Sequence, residues 1–508
     1  MYSYYDLKEF FKRQDIRLIM VADAETRVHE TKNDKLTVKI PAGGVSVALD
    51  PIVKAAQGIY IGRGKTEADK AVVDRSSKFK VEASDGEYTL KRVFAPKEEE
   101  DAYYYGFSNQ TMWPLCHVAF EAPEFHDEWF DGYKKVNERF AKAIREELTG
   151  NKKTLLWIHD YQMTLVPSMV KNVNKNVIMG MFWHIPWPTW EVFRILPQKK
   201  EILESMLCCD FIAFHRGYQA SNFLETVERE LEVRIDRERN QVHYKDHVTT
   251  ITHLPLGIDT DVIRSLLVDR KEQGLMGKFV SSMIGTPKEE EDPFEQFFND
   301  HKVIVGVDRL DYTKGLLLRL RALDRFLEQN PSYIGKVVYV GIVAPSREAI
   351  PSYEQLKKEL KAKAQEINKK YVQKNGWMPI FLLHDVFNRH NIMQFYQRAD
   401  MCLITARDDG MNLVSKEFVL ASSKSDNPGM LVLSQFAGSA LDLTEALIVN
   451  PYDVNEVSKA IKRGLEMDKK EKIERISHMV TTLDERNVYQ WAEEFVKASL
   501  ASQITPRK

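Results

Sequence analysis

Two short stretches of the chain carry residue types able to hold a diphosphate and a set of sugar hydroxyls. The first reads Gly306-Val307-Asp308-Arg309-Leu310-Asp311-Tyr312-Thr313-Lys314-Gly315 and follows the apolar run Val303-Ile304-Val305. A strand ending in such a turn, with a helix opening near Lys314, sets two cations against phosphate oxygens. Helix-start amides add hydrogen bonds and a favourable dipole. The second reads Asp408-Asp409-Gly410-Met411-Asn412-Leu413-Val414-Ser415-Lys416-Glu417. Its glycine turn, followed by Met411, Asn412 and Leu413, offers backbone N–H groups, and Asp409 can accept from hydroxyls. Glu417 lies one or two helical turns on, where a ribose diol could be gripped. Either motif alone is compatible with a solvated loop or a plain turn. Together they suit one ligand, a sugar nucleotide.

The elements that must position these loops are legible as alternating short apolar runs and amphipathic stretches. In the first half Leu18-Ile19-Met20-Val21, Thr154 to Ile158, Val177 to Phe182 and Phe211 to Phe214 each precede a helix-like segment; in the second, Val303 to Val305, Val337 to Val340, Ile380 to Leu383, Met401 to Ile404 and Leu431 to Leu433 do the same. That pattern predicts parallel sheets covered on both faces, and two doubly wound domains. The alternation from Phe79 to Lys91 around Asp85-Gly86 predicts a hairpin insertion. Pro255-Leu256-Gly257-Ile258-Asp259 interrupts the pattern and marks the join, and Lys288-Glu289-Glu290-Glu291-Asp292 reads as an exposed charged insertion. A last helix around Val488 to Leu500 carries Trp491 and Phe495 at helical spacing.

With 508 residues the chain exceeds what one core normally supports. Its 72 basic and 74 acidic side chains leave a net charge of −2, which argues against a nucleic-acid or membrane-surface binder while leaving room for a local phosphate pocket. Cysteines 116, 208, 209 and 402 form no metal-binding spacing and are expected to be reduced, buried thiols. The polar start and the lack of a long apolar run predict a cytoplasmic protein.

At the two motifs the chain resembles the retaining glycosyltransferases of the trehalose-6-phosphate synthase type, which carry Arg-Leu-Asp-Tyr-x-Lys-Gly followed by Asp-Gly-Met-Asn-Leu-Val. The resemblance extends from about residue 17 to about residue 465. It includes Trp157-Ile158-His159-Asp160-Tyr161, Phe182-Trp183-His184-Ile185-Pro186-Trp187-Pro188, Pro255 to Asp259 and Ser434-Gln435-Phe436-Ala437-Gly438. It implies the α/β fold called GT-B, two Rossmann-like doubly wound domains facing across a cleft. Residues 1–255 would form the acceptor-side domain and residues 256–484 the nucleotide-sugar domain, with residues 485–508 a helix returning to the first.

The resemblance also implies roles. Arg309 and Lys314 would stabilise the departing diphosphate, so that no metal is needed, and Asp308 and Asp311 would serve the turn rather than a cation. Gly44, beside Gly43, would let backbone approach the donor phosphates. Asp409, Gly410, Met411 and Asn412 would hold the transferred glucose, with Leu413 and Val414 beside them. Glu417 would hold the ribose, and Ile342 and Phe387 would meet the base. His184 and Asp160 would contact the transferred sugar or its acceptor. Retention would proceed on one face, the leaving phosphate taking the acceptor's proton.

On the acceptor side, Tyr104, Trp113 and Arg347 match the family's spacing for gripping a sugar phosphate. Two positions depart from the pattern. Ala24 stands where an arginine is expected and Arg63 where a tryptophan is expected. Arg27, Arg63 or Lys65 could restore the missing cation. The expectation is a glucosyltransferase that joins a nucleoside-diphosphate glucose to glucose 6-phosphate, without cofactor. A glycerol 3-phosphate acceptor, or a non-catalytic regulatory subunit, is the alternative; the intact Arg309, Lys314, Asp409 and Glu417 weigh against the latter. The partners are small molecules, and self-association into a homo-oligomer is left open.

Overall fold

Largely apolar runs such as Thr154–His159, in which every residue is buried, can persist only in strands covered on both faces. The computed structural model describes residues 2–32, 35–41, 44–83, 85–268, 293–374, 376–384 and 387–502. Gly43 and the charged stretch 288–292 lie outside them. The chain divides into two units, one running to Gly257 and resuming at Arg486, the other Ile258–Glu485.

The strands of the first unit are β1 (Arg17–Val21), β2 (Val28–Lys32), β3 (Lys35–Lys39), β4 (Ile59–Arg63), β5 (Lys78–Ala83), β6 (Gly86–Val93), β7 (Thr154–His159), β8 (Val177–Phe182), β9 (Phe211–Phe214), β10 (Arg234–Asp236), β11 (Gln241–Tyr244) and β12 (His247–His253). Ten of them form one sheet in the order β10-β11-β12-β9-β8-β7-β1-β4-β6-β5, and β2 and β3 pair separately. From β12 to β6 all pairings are parallel. The predicted hairpin is β5–β6, antiparallel from Lys78↔Lys91 to Ala83↔Gly86. It is no separate insertion, because β6 also pairs with β4 and carries the buried Leu90 and Val93 into the main core.

The C-terminal helix Val488–Ser502 belongs to this first unit and packs on β8 and β9. Phe495 stacks on Trp157 at 4.0 Å between centroids with 5° between planes, and Trp491 lies 5.1 Å from the same ring. Such stacked, fully buried aromatic pairs stabilise by roughly 0.5–1.5 kcal/mol beyond their area.

The second unit holds β13 (Lys302–Arg309), β14 (Val337–Ala344), β15 (Ile380–Leu383), β16 (Met401–Ile404), β17 (Met430–Ser434) and β18 (Leu447–Val449). Their order is β15-β14-β13-β16-β17-β18 and every pairing is parallel. Strand β13 therefore lies at the centre, with the chain winding outward first through β14 and β15, then through β16, β17 and β18. This is the Rossmann order, whose topological switch point falls between the carboxyl ends of β13 and β16. The parallel strands of the first unit have the same winding, with the switch point between β1 and β7. Among the described residues no helix is long and apolar enough to cross a membrane. The four cysteines are unpaired, three buried and Cys208 only partly so.

Candidate active site

In the second unit the backbone after β13 is shaped by its own carboxylate. The Asp311 side chain accepts from the Thr313 amide at 3.0 Å and the Thr313 hydroxyl at 2.9 Å, which caps the single turn Tyr312–Lys314. Gly315 follows with φ of 62°, and a Cβ there would stand 2.0 Å from the Thr405 carbonyl oxygen. Only glycine fits this turn against the strand-end loop of β16. Exposed Arg309 closes β13, and Lys314 is turned toward the neighbouring loop. Its ammonium donates to Asp409 Oδ2 at 2.6 Å, while the Arg407 amide donates to the Thr313 carbonyl at 2.7 Å. The two motifs thus meet at the switch point.

The loop after β16 is braced from β17. The Asp409 amide donates to the Phe436 carbonyl at 3.1 Å and the Gly438 amide to the Asp409 carbonyl at 2.9 Å. Asn412 sits in the left-handed region, φ 70°, and its side chain accepts from the Ser415 amide at 3.0 Å to start the helix Leu413–Ser422. Helix-start amides at Leu413 and Val414 have no carbonyl one turn back to donate to. Asp409 Oδ1 receives the Met411 amide at 3.4 Å, and its Oδ2 receives the Asn412 side-chain amide at 3.1 Å. Glu417, one turn into the helix, takes a bond from Arg389 at 2.7 Å. Ile342 is buried in β14, and Phe387 is half-buried in the loop after β15.

Asp308 and Asp311 are both occupied by cations. Arg319 donates to Asp308 at 2.6 Å; burial outweighs that guanidinium and raises the Asp308 pKa. Arg347, held at φ 50° in the loop after β14, donates to Asp311 Oδ2 at 3.2 Å and to the Tyr353 hydroxyl at 2.6 Å. Burial alone would raise Asp311, but Arg347, Arg309 and Lys314 together lower it. One buried carboxylate therefore joins the turn that carries Lys314 to the arginine expected to meet the acceptor phosphate. No group of three His, Cys, Asp or Glu is arranged to hold a metal among the described residues.

In the first unit Asp160 and His184 follow β7 and β8. Asp160 has φ of 72°, and its carboxylate accepts from the His184 amide at 3.1 Å. The His184 ring is buried and its Nε2 lies 3.0 Å from His159 Nδ1. Burial pushes the His184 pKa down to about 3, and burial with the neighbouring ring takes His159 well below its ordinary value. Two neutral imidazoles result, which can exchange one hydrogen bond in either sense. Gly44, φ 87°, precedes the helix Val45–Ala55, with open space where a side chain would be.

Tyr104 lies on the π-helical segment Asp101–Met112, braced by Asn109 Nδ2 donating to its carbonyl at 2.7 Å. Trp113 is buried against His117, 4.1 Å between centroids. Both arginines expected to replace the missing cation have carboxylate partners. Arg27 pairs with Asp50 at 3.0 Å. Arg63, 2% exposed, donates to Asp23 at 2.7 Å and pairs with Glu100, its guanidinium 4.7 Å from the Tyr104 ring centroid. Asp23 is lowered because Arg63 outweighs the opposing effect of burial. Asp23, Glu100, Arg389 and His159 carry no expectation from sequence; Asp23 and His159 lie at the ends of patterned strands, which could have signalled them, whereas Glu100 and Arg389 lie on helices and have no such signal.

Two sheets of this winding, with cations and carboxylates gathered beyond the carboxyl ends of their strands, define a doubly Rossmann-like α/β protein. The chain belongs to glycosyltransferase family 20, whose sequence model matches residues 16–500. It is 35% identical over 432 residues to the alpha,alpha-trehalose-phosphate synthase [UDP-forming] of Pichia angusta, covering 82% of this chain and 86% of that one. It is 32% identical over 499 residues to the bifunctional trehalose-6-phosphate synthase/phosphatase of Thermoproteus tenax, covering 96% of this chain but 64% of the relative, so it spans less than two thirds of that protein's length. Among solved structures, the E. coli chain described as trehalose-6-phosphate bound with UDP-2-fluoro glucose superposes with a TM-score of 0.82 at 30% identity, covering 96% of this chain and 100% of that one.

Proposed function

We propose that the chain is a retaining glucosyltransferase that moves glucose from UDP-glucose to glucose 6-phosphate and forms trehalose 6-phosphate. The observation that carries this reading is the 2.6 Å Lys314–Asp409 ion pair. It joins a phosphate-type turn to a sugar-type loop at the switch point of a Rossmann sheet, where such sheets take nucleotides. The UDP-forming and trehalose-phosphate-forming activities in the relatives' names support the donor and the product.

In this reading Arg309 and Lys314 stabilise charge that grows on the departing diphosphate, the kind of preorganised electrostatic contact that contributes most to many enzymes. Asp409 and the amides of Gly410, Met411 and Asn412 hold the glucose hydroxyls, and helix-start amides at Leu413 and Val414 take phosphate oxygens. Glu417 holds the ribose, with Arg389 fixing its carboxylate. The base meets main chain near Ile342 and Phe387, and Gly44 gives the phosphates a close backbone approach. Asp160 and neutral His184 bind sugar hydroxyls. Tyr104, Trp113, Arg347 and one cation of the first unit hold the acceptor.

The bond from anomeric carbon to phosphate oxygen breaks as the acceptor hydroxyl attacks from the same face, and its proton passes to the leaving phosphate oxygen. Fixed cations supply the neutralisation that a metal would give, so the reaction runs without one. The test incubates the protein with UDP-, GDP- and ADP-glucose and with glucose, glucose 6-phosphate and glycerol 3-phosphate, then identifies products by mass and anomeric configuration by NMR. An α,α-linked disaccharide phosphate from UDP-glucose is expected. A glucosylglycerol phosphate, or no turnover with any pair, overturns the reading.

A further inference from the structure

We infer that Lys65 is the cation that recognises the acceptor's phosphate in the first unit, in place of the arginine replaced by Ala24. The inference rests on the acceptor proposed above and names the residue that selects it. Three cations stand within reach of the altered pattern, and the structure separates them. Arg27 is half-buried, its Nη1 lying 3.0 Å from Asp50 and donating to the Thr26 carbonyl at 2.7 Å, with Nη2 donating to Asp50 at 3.4 Å. Arg63 is wholly enclosed, its guanidinium shared between Asp23 and Glu100. Turning it toward a ligand would strand Asp23, a buried carboxylate whose other bond is the Tyr103 hydroxyl at 2.9 Å.

Lys65, two residues beyond the strand that ends at Arg63, is exposed; among the described residues its ammonium has no partner within ion-pair or hydrogen-bond distance, its charge reaching Asp23 only at longer range. Its Nζ lies 6.0 Å from the Tyr104 ring centroid. The same ring is faced by Arg63 on the other count, so the residue expected to grip the acceptor has one spent cation and one unspent cation beside it.

The local charge sharpens the argument. Asp23 and Glu100 outnumber Arg63, so without Lys65 the cluster around Tyr104 would carry net negative charge and repel a phosphate; with it the cluster is neutral and offers one mobile ammonium on a flexible stem. Arg63 then has a different task. It packs on Tyr104 and fixes that ring where the family pattern has a tryptophan.

The experiment compares kcat/KM for glucose 6-phosphate with kcat/KM for glucose in the wild-type protein, Lys65→Ala, Lys65→Arg and Arg27→Ala. Because Lys65 is exposed, its variants are expected to fold. The ratio should fall about tenfold to a hundredfold in Lys65→Ala, as for loss of a charge-assisted contact, recover in Lys65→Arg, and hold in Arg27→Ala. The KM for UDP-glucose should move little. A wild type that prefers glucose 6-phosphate together with an unmoved ratio in Lys65→Ala, or a ratio that collapses in Arg27→Ala instead, overturns the inference. A wild type that uses both acceptors equally overturns the acceptor reading itself, and is seen without any variant.

Discussion

At the switch point of the second sheet the two strand-end loops are tied to each other, Lys314 from the β13 side to Asp409 from the β16 side at 2.6 Å. At the switch point of the first sheet the corresponding carboxylates turn outward. Asp23, after β1, is taken by Arg63 of β4, and Asp160, after β7, by the His184 amide beyond β8. Two sheets of one strand order thus leave different resting states. The second holds Lys314 and Asp409 in an internal pair, which in the proposed reaction a diphosphate and a sugar exchange for their own contacts, Lys314 toward phosphate and Asp409 toward hydroxyls. The first pairs Asp23 with Arg63 of the adjacent strand and Asp160 with the backbone amide of His184. The lesson concerns preorganisation. In the proposed reading, the charges that a diphosphate and a sugar take up are stored against each other in the second unit, whereas the buried Asp23–Arg63 pair of the first shapes its pocket.

The sharpest way to break this contrast is to remove the second unit's cations. Arg309→Ala or Lys314→Ala should lower kcat by about 10² to 10³ while circular dichroism and the thermal transition stay close to wild type, since in the proposed reaction each deletes a charge that acts as the diphosphate leaves. Unchanged turnover in both folded variants would show that the paired charges at this switch point are structural, and the contrast between the sheets would lose its functional meaning.

A second, smaller effect tests whether Arg347 serves a ligand as proposed. Arg347→Ala removes a guanidinium that shares Asp311 with the Lys314 turn. The preference for glucose 6-phosphate over glucose should narrow by about tenfold to a hundredfold, with UDP-glucose affinity hardly altered, as charge-assisted phosphate contacts are worth roughly 1.5–3 kcal/mol. A variant that keeps the full preference but loses UDP affinity would place Arg347 on the donor instead.

Much of the fold was legible because parallel strands buried on both faces write themselves as apolar runs, from Leu18 to Val21 in β1 to Leu431 to Leu433 in β17. The turn after β13 was legible too, since Gly315 at positive φ and the cations beside it leave few other readings. What stayed hidden is pairing across distance. Lys314 and Asp409 are 95 residues apart, and Arg63 and Asp23 are 40 apart; residue types do not say which acid each base will meet. Strand β3 also escaped: Leu36 and Val38 alternate with polar residues, but the run is only five residues long and all of it is exposed. The 12-residue π-helical segment that carries Tyr104 has no pattern of its own either.

The buried imidazole pair offers a test through stability. The folded-state pKa of His184 lies near 3 and that of His159 well below its ordinary value, both depressed below the unfolded value of about 6.5. A depressed group contributes stability that is fully present above the unfolded pKa and is lost as pH falls toward the folded one. Unfolding free energy should therefore decline below about pH 6.5, each ring adding a slope of up to about 1.4 kcal/mol per pH unit. Urea titrations at several pH values should give a flatter decline for His184→Gln than for the wild type. Parallel curves would mean that the ring is accessible to protons in the folded state, and that the first unit's site is more polar than its packing implies.

The smallest effect expected is that of chelation. Asp308 and Asp311, the carboxylates closest to a metal-like spacing beside the donor turn, are taken by Arg319 at 2.6 Å and by Arg347 at 3.2 Å, with Thr313 filling further acceptor positions on Asp311. A divalent cation could bind them only by displacing buried guanidinium groups, each held by several kcal/mol of otherwise uncompensated carboxylate charge. If Arg309 and Lys314 offset the leaving-group charge as proposed, turnover should survive exhaustive EDTA treatment, with at most modest changes from ions bound to free nucleotide. Complete loss of activity that Mg²⁺ or Mn²⁺ restores would mean that Asp308 and Asp311 exchange arginine for metal in the working enzyme. The second unit would then resemble the first, its visible ion pairs serving to shape the pocket and its catalytic charge arriving from outside.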